Sequence, residues 1–514
     1  MEFLQKIKPR RYQEEIFKTC LKKNCLVVLP TGLGKTLIAL MLTVEKMKEF
    51  PGNKVLFLAP TKPLCEQHQE YFKKNLPELF GSIELFTGAV DSKKRKKVWD
   101  TGDIIFSTPQ CIANDLKKGL YTLSEVCLLV EDEAHRCVKN YDYNFVAQRF
   151  KEESNGRIIG LTASPGSDPK KIKEICKNLS IEEVELRTRD SHDVKEYIQK
   201  LEFEKRELEL SKDILEVRNI LKIIFDEYTD ELKLKNFLFG PANKINLIEL
   251  QKKLGSQISR NFSHPSSYFA ISHVAQAIKI SHALELIETQ TLEGFQKYLK
   301  NIFNQAEKRQ SKGVVKLAKR EDFNLAYSKT NFLIEKGEEH PKVKEIIKVV
   351  RDERKKKENP KIIIFTQFRD TANLISNNLN KLEGVKSKIF VGQRKLEGSG
   401  LSQKEQKKII KDFSDGKTNV ICATSIGEEG LDIPEVDSVV FYEPVSSAIR
   451  SIQRRGRTGR LSNGKLIILI TKGTKDEFSY YASLSREKKM QKSIEKIKEE
   501  LNAPKKEGQK RLTW

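Results

Sequence analysis

LPTGLGKT, residues 29–36, follows directly on the apolar run CLVV at 25–28 and opens into the helix-period segment TLIALMLTVEKM. Strand, glycine-rich turn and helix in that order make a phosphate-binding loop at the edge of a parallel sheet. Gly32 and Gly34 let backbone N–H groups approach phosphate oxygens, with Thr31 in the same turn. Lys35 reaches the β- and γ-phosphates, and the Thr36 hydroxyl suits Mg²⁺. The place usually held by Gly or Ala is Leu29, a departure from the common pattern. The loop predicts an α/β fold with ATP and Mg²⁺ as cofactors.

Outward from the loop, residues 1–184 alternate short apolar runs with helical stretches, as a parallel sheet requires. The runs are Cys25–Leu29, Val55–Leu58, Ile83–Phe86, Asp103–Ser107, Val126–Glu131 and Arg157–Leu161. The same rhythm fills residues 341–484, with Lys361–Phe365, Lys388–Phe390, Val420–Thr424, Ser438–Tyr442 and Lys465–Ile470. Between them, residues 185–340 carry helical stripes such as Ile214, Val217, Leu221 and Ile224, or Val274, Ile278, Leu284 and Ile287. Residues 485–514 are highly charged and read as a helix fraying into a basic tail. The expected architecture is two parallel-sheet lobes with an inserted helical domain and that tail.

The second half of a phosphate site should be an acidic strand end. VEDEAHR, residues 130–136, closes the apolar run around Cys127. Asp132 is placed to hold Mg²⁺, directly or through water, and Glu133 to orient and activate an attacking water.

The chain has 94 Lys+Arg against 71 Asp+Glu, a net charge of +23. Such a field draws polyanions, nucleic acid first, and says nothing of fold. None of the eight cysteines forms a C-x-x-C pair, so no zinc ribbon or iron–sulfur site is suggested. Several lie in apolar runs and read as core residues of a reducing compartment. The start, MEFLQKIKPR, has no signal-peptide apolar region, and no apolar run approaches the ~20 residues of a membrane helix. No membrane partner is expected, and the localisation expected is cytoplasmic, associated with the nucleoid.

These residues resemble superfamily 2 helicases, whose motif II is the DEAH of residues 132–135. The resemblance implies two RecA-like lobes and brings further blocks in order. KPRRYQ, with Arg10 and Gln13, is similar to the adenine-recognising Q motif. APTKPL, with Thr61 and Lys62, resembles motif Ia, and STPQ, with Thr108 and Gln110, motif Ib. LTASPG resembles motif III, IIIFTQFRD motif IV, and TSIGEEGLDIP, with Thr424, Gly430 and Asp432, motif V. QRRGRTGR, with Gln453, Arg457 and Arg460, is motif VI. Its spacing puts Arg457 and Arg460 on one side of a helix, three apart. They belong to the second lobe while Lys35 and Asp132 belong to the first, so the guanidiniums reach a γ-phosphate only when the lobes close. Such an arginine finger is worth about 10³–10⁵ in rate.

NCLVVLPTGLGKTLIA, GLTASPGS, FVGQ and SIGEEGLDIPEVDSVVFYEPVSSAIRSIQRRGRTGR together resemble the archaeal Hef helicases, relatives of the Fanconi-anaemia-group-M protein. That resemblance implies an ATP-dependent DNA helicase or translocase acting on branched DNA in repair and replication restart. It implies strand contacts at Thr61, Lys62, Thr108, Gln110, Gly392, Gln393 and Thr424. Two alternatives stay open: a duplex-RNA-stimulated ATPase and a non-catalytic junction-binding scaffold. RNA-sensing relatives usually carry Cys where this chain has Ala134, which favours DNA. Hef's C-terminal nuclease has no counterpart here, so a nuclease would be a separate polypeptide or a removed domain. Glu353-Arg354-Lys355 reads instead as a solvated charged helix. GQKRLTW, residues 508–514, resembles in part a sliding-clamp-binding peptide.

Overall fold

The computed structural model describes residues 7–88, 90–197, 201–259, 265–392, 400–427, 433–458 and 464–503. The apolar runs are strands covered on both faces. β1 (Cys25–Val28), β2 (Lys54–Leu58), β3 (Ile83–Phe86), β4 (Ile104–Ser107), β5 (Val126–Asp132), β6 (Arg157–Thr162) and β7 (Glu183–Leu186) form one sheet, ordered β3-β4-β2-β5-β6-β1-β7. Every pairing is parallel. Parallel strands need helical crossovers, and these clothe both faces, which is why the runs are continuously apolar. Cys25 and Val27 pack against helices Arg11–Lys22, Lys35–Glu49 and Lys62–Asn75. Leu26 and Val28 pack against Pro109–Lys117, Asp142–Glu153 and Pro169–Asn178. The common direction brings the ends of β1, β2, β4, β5 and β6 to one edge, where a switch-point site belongs.

The second sheet contains β8 (Leu201–Leu208), β9 (Ile362–Phe365), β10 (Ser387–Phe390), β11 (Val420–Ala423), β12 (Ser438–Phe441) and β13 (Gly464–Thr471), ordered β10-β11-β9-β12-β13-β8 and again parallel. Residues 201–208 were expected within the helical insert, yet they pair with β13 along its whole length. LEFEKREL has no apolar run to betray it. As an edge strand it is half-solvated and its charges are used: Lys465 bonds Glu204 at 2.6 Å and Arg206 bonds Glu204 at 2.7 Å. Glu353, read as solvated, is in fact buried; it accepts a 2.6 Å bond from the Ser438 hydroxyl.

Helices Lys212–Leu234, Lys244–Ser259, Pro265–Thr289, Leu292–Glu307, Lys312–Ala318 and Glu321–Glu335 bury one shared core that includes Ile214, Val217, Leu221, Ile224, Val274 and Ile287. The next surprise is the helix Lys475–Asn502. Residues 485–502 are no fraying tail but its second half, which crosses back to the first lobe. Met490, Ile494 and Ile497 enter that lobe's core, and Lys173 pairs with Glu500 at 2.7 Å. Spaced four and three apart, they make a helical stripe that the surrounding lysines and glutamates obscure. The clamp-like peptide at 508–514 lies outside the described residues.

Candidate active site

The loop after β1 is built on two left-handed residues, Gly32 at φ 86° and Gly34 at φ 80°. Gly34 has a second reason to lack a side chain: a β-carbon there would collide with the Gln13 amide. Gln13 Nε2 donates to Leu33 O at 3.0 Å, the Tyr12 hydroxyl donates to the same carbonyl at 2.9 Å, and Arg10 N donates to Gln13 Oε1 at 2.8 Å. The Q-motif residues therefore brace the phosphate loop in this conformation. Leu29 is fully buried in the first-lobe core, so its departure from Gly or Ala is a packing choice. Lys35 begins the following helix, and its Nζ donates to Leu29 O at 2.9 Å.

Asp132 ends β5 and is 6% exposed. His68 Nε2 donates to Asp132 Oδ2 at 2.9 Å, and His68 Nδ1 lies 3.5 Å from Thr36 Oγ1. One imidazole thus joins the two candidate metal ligands. Burial opposes ionisation of Asp132, but the His68 bond and charge, with the charge of Lys35, hold its carboxyl below the usual range. Sequence reading missed His68; it sits in the helix Lys62–Asn75 just after motif Ia, 64 residues from its partner, where only the fold makes them neighbours. The preceding acid, Glu131, is fully buried, and desolvation pushes it up to about 8 despite the Cys137 thiol donating at 2.8 Å. It is a structural acid behind the DEAH box.

Glu133 adopts φ 53°, ψ 45°, a left-handed conformation that costs a non-glycine residue on the order of 1 kcal/mol or more. This turn lifts its carboxylate off the strand; Oε2 lies 3.1 Å from His135 Nδ1. That nitrogen is 3.3 Å from Thr162 Oγ1. Ser164 N donates to Thr162 Oγ1 at 3.1 Å, and the Ser164 hydroxyl donates to Met490 Sδ at 2.9 Å. Polar contacts therefore run from the DEAH box through motif III to the helix returning from the second lobe.

Motif VI supplies the opposite wall. The helix Ala448–Arg455 ends at its C-cap Gly456, so Arg457 lies in the turn beyond it and not on the helical face expected. Gln453 and Arg457 are both buried. A β-carbon at Gly456 would stand 2.7 Å from Thr31 Cβ of the phosphate loop, and Arg189 donates to Thr458 O at 3.4 Å. The two lobes meet at this point. Gly430, Asp432 and Arg460 lie outside the described residues.

Of the expected strand contacts, Thr61 stands at the N-cap position of the helix Lys62–Asn75 and Thr108 at that of Pro109–Lys117, which carries Gln110, neither spending its hydroxyl on a cap bond. Both follow first-sheet strands at the edge that bears the phosphate loop. In the second lobe the Gly392 carbonyl accepts from Arg369 at 3.2 Å, and Thr424 N donates to Phe390 O at 3.1 Å. These residues follow β10 and β11, again at strand ends. Gln393 lies outside the described residues.

Three family models match in sequence: DEAD/DEAH box helicase over residues 10–172, "Putative ATP-dependent RNA helicase, helical bundle" over 213–330, and Helicase conserved C-terminal domain over 341–462. The helicase domain of Hef from Pyrococcus furiosus superposes with a TM-score of 0.72 at 42% identity, covering 92% of this chain and 98% of that one. The chain belongs to the Hef family of helicases. Other relatives include a "Putative ATP-dependent RNA helicase" of Methanocaldococcus jannaschii, 39% identical over 96% of this chain, and the Neurospora crassa ATP-dependent DNA helicase mph1, 32% identical over 91%. The mouse Fanconi anemia group M protein homolog is 30% identical over 94%. This chain spans 61%, 41% and 26% of those three relatives. Hef membership accounts for the α/β lobes, the helical bundle between them and the DEAH and motif VI signatures as one inherited unit.

Proposed function

We propose that this chain is an ATP-driven DNA helicase or translocase that acts on branched DNA, forks and junctions, in repair and replication restart. The observation that carries the reading is the contact of Gly456 with Thr31, motif VI against the phosphate loop across the cleft. A triphosphate gripped from both sides stabilises the joined state, and its hydrolysis removes that preference. Lys35 holds the β- and γ-phosphates, Glu133 orients and deprotonates the attacking water, and Arg457 and Arg460, with Gln453, meet the terminal phosphate from the second lobe. Arg10 and Gln13 take the adenine side. The hydroxyl of Thr36 and the carboxylate of Asp132, joined through His68, are hard oxygen donors that fit Mg²⁺. Mg²⁺, when bound, would neutralise charge developing on the phosphate oxygens.

Thr61, Lys62, Thr108, Gln110, Gly392, Gln393 and Thr424 are the proposed phosphate contacts, which fix register without reading sequence. The Neurospora crassa relative, named as a DNA helicase, favours DNA; the Methanocaldococcus jannaschii relative and the helical-bundle family model, both named for RNA helicases, keep duplex RNA as the second reading. A nucleoid-associated, cytoplasmic place and a sliding-clamp contact through residues 508–514 belong to the same proposal.

The test is ATPase rate with single-stranded, duplex, forked and four-way DNA and with duplex RNA. Stimulation is expected to be greatest with forked and four-way DNA, and Lys35→Ala should abolish turnover and fork remodelling. Stimulation by RNA alone overturns the substrate, and fork remodelling that survives Lys35→Ala overturns the motor.

A further inference from the structure

The helical insert does not merely sit between the lobes. Its longest helix, Pro265–Thr289, turns through Gln290 and Thr291 into the next, and Thr289, Gln290 and Thr291 are all almost fully buried. Polar side chains are buried at such a corner only where partners await them. Gln290 Oε1 accepts from the Thr371 hydroxyl of the second lobe at 2.8 Å. Its Nε2 donates to Thr289 Oγ1 at 3.0 Å and to Glu443 Oε2 at 3.4 Å.

Glu443, just after β12, is 2% exposed and is shared. It also accepts from the Thr366 hydroxyl at 3.4 Å and from Gln367 N, both at the end of β9 in motif IV. Burial pushes its carboxyl up to about 7, and the charge of Arg454, then that of Lys342, oppose the rise. Arg454 is fully buried in the motif VI helix, with its guanidinium 5.0 Å from the Phe365 ring and 5.4 Å from the Phe441 ring. Gln453 and Arg457 flank it in sequence. A polar cavity of ≈ 240 Å³, lined in part by Gln290, Gln367, Glu443 and Arg450, opens beside this cluster and gives it room to rearrange.

We propose that Gln290 is a positioning residue through which the helical insert sets motif VI, by way of Glu443 and Arg454, so that a shift of the insert when nucleic acid binds across the lobes tunes ATP turnover. The inference rests on the nucleic-acid-stimulated ATPase proposed above. A buried carboxylate with fixed donors is bistable and not elastic: when the insert shifts, Gln290 leaves, Glu443 must find another donor, and Arg454 moves with it. Gln290 touches neither the phosphate loop nor the proposed strand contacts, so its effect should appear in coupling alone.

The experiment compares basal and fork-DNA-stimulated ATPase, together with fork-DNA affinity, for wild type, Gln290→Leu, Thr371→Val and the double variant. Gln290→Leu is expected to cut the stimulated-to-basal ratio roughly tenfold, with basal rate and DNA affinity within about twofold of wild type. Thr371→Val, nearly isosteric and made from the opposite side, should lower the ratio in the same way, and the double variant should be no worse than Gln290→Leu. A ratio unchanged in both single variants, or effects that multiply in the double variant, overturns the coupling. If Gln290→Leu does not fold, Thr371→Val decides: an unchanged ratio overturns the proposal. A wild type that no nucleic acid stimulates overturns the functional reading and this inference together, whereas a stimulated wild type matched by both variants overturns the inference alone.

Discussion

Glu133 and His340 set a side chain proposed for catalysis beside one that serves the fold. Glu133 sits in a left-handed turn beside His135, and Glu133→Gln keeps that shape while removing the proposed base. Nucleotide binding should persist and turnover should fall by about 10²–10⁴, read by fluorescent-nucleotide titration and steady-state ATPase. His340 is fully buried; its Nδ1 accepts from Lys342 N at 3.3 Å, and its Nε2 faces Glu288 O at 3.1 Å. Burial, then the charge of Lys342, drives it down to about 3 from the ordinary 6.5. The folded state thus holds a neutral imidazole while the unfolded chain takes up a proton below pH 6.5. Stability is unaffected above that pH, falls as pH drops and levels off near pH 3, a loss of about 2 kcal/mol at pH 5. His340→Asn keeps a capping acceptor and should lose about 2 kcal/mol less than wild type between pH 7.5 and 5 in denaturant unfolding. Lys35, Thr36 and Asp132 could be singled out from sequence because their chemistry fixes local spacing. His68, Gln290 and Arg454 could not, because their partners are distant in sequence and exist only once the sheets are assembled.

Among elements, continuous apolar runs were the legible ones and charged elements were not. β8 reads as LEFEKREL and earns its place through ion pairs at a sheet edge, a pattern that hydrophobic periodicity misses. The second half of the helix Lys475–Asn502 hides three core residues among lysines and glutamates. Its burial is checkable. Ile494→Ala should destabilise the chain by about 2–5 kcal/mol, because the first-lobe core cannot collapse onto the gap. An exposed neighbour such as Lys492→Ala should stay within about 0.5 kcal/mol, both read by denaturant melts.

Across the whole molecule, the lobes are joined by the insert, by the returning helix and by the meeting of Gly456 with Thr31. Gly456→Val should wedge that last contact open. ATP turnover should fall at least about tenfold while fork-DNA affinity without nucleotide is kept, since 1.4 kcal/mol against the joined state suffices for a factor of ten. Nucleic-acid affinity itself should fall with salt at a log–log slope of about −0.7 to −0.9 per phosphate contacted, and Lys62→Ala should lower that slope by about one contact. The pairing of β8 with β13 also sets an order of events during translation. At ~5–20 residues per second, β8 leaves the ribosome roughly 10–50 s before its partner exists. Through that wait its dense charges, Glu202, Glu204, Lys205, Arg206 and Glu207, keep a nascent, unpaired ribbon from sticking to neighbouring polypeptides, which makes this polar strand a safeguard of biosynthesis as well as a border of the finished sheet.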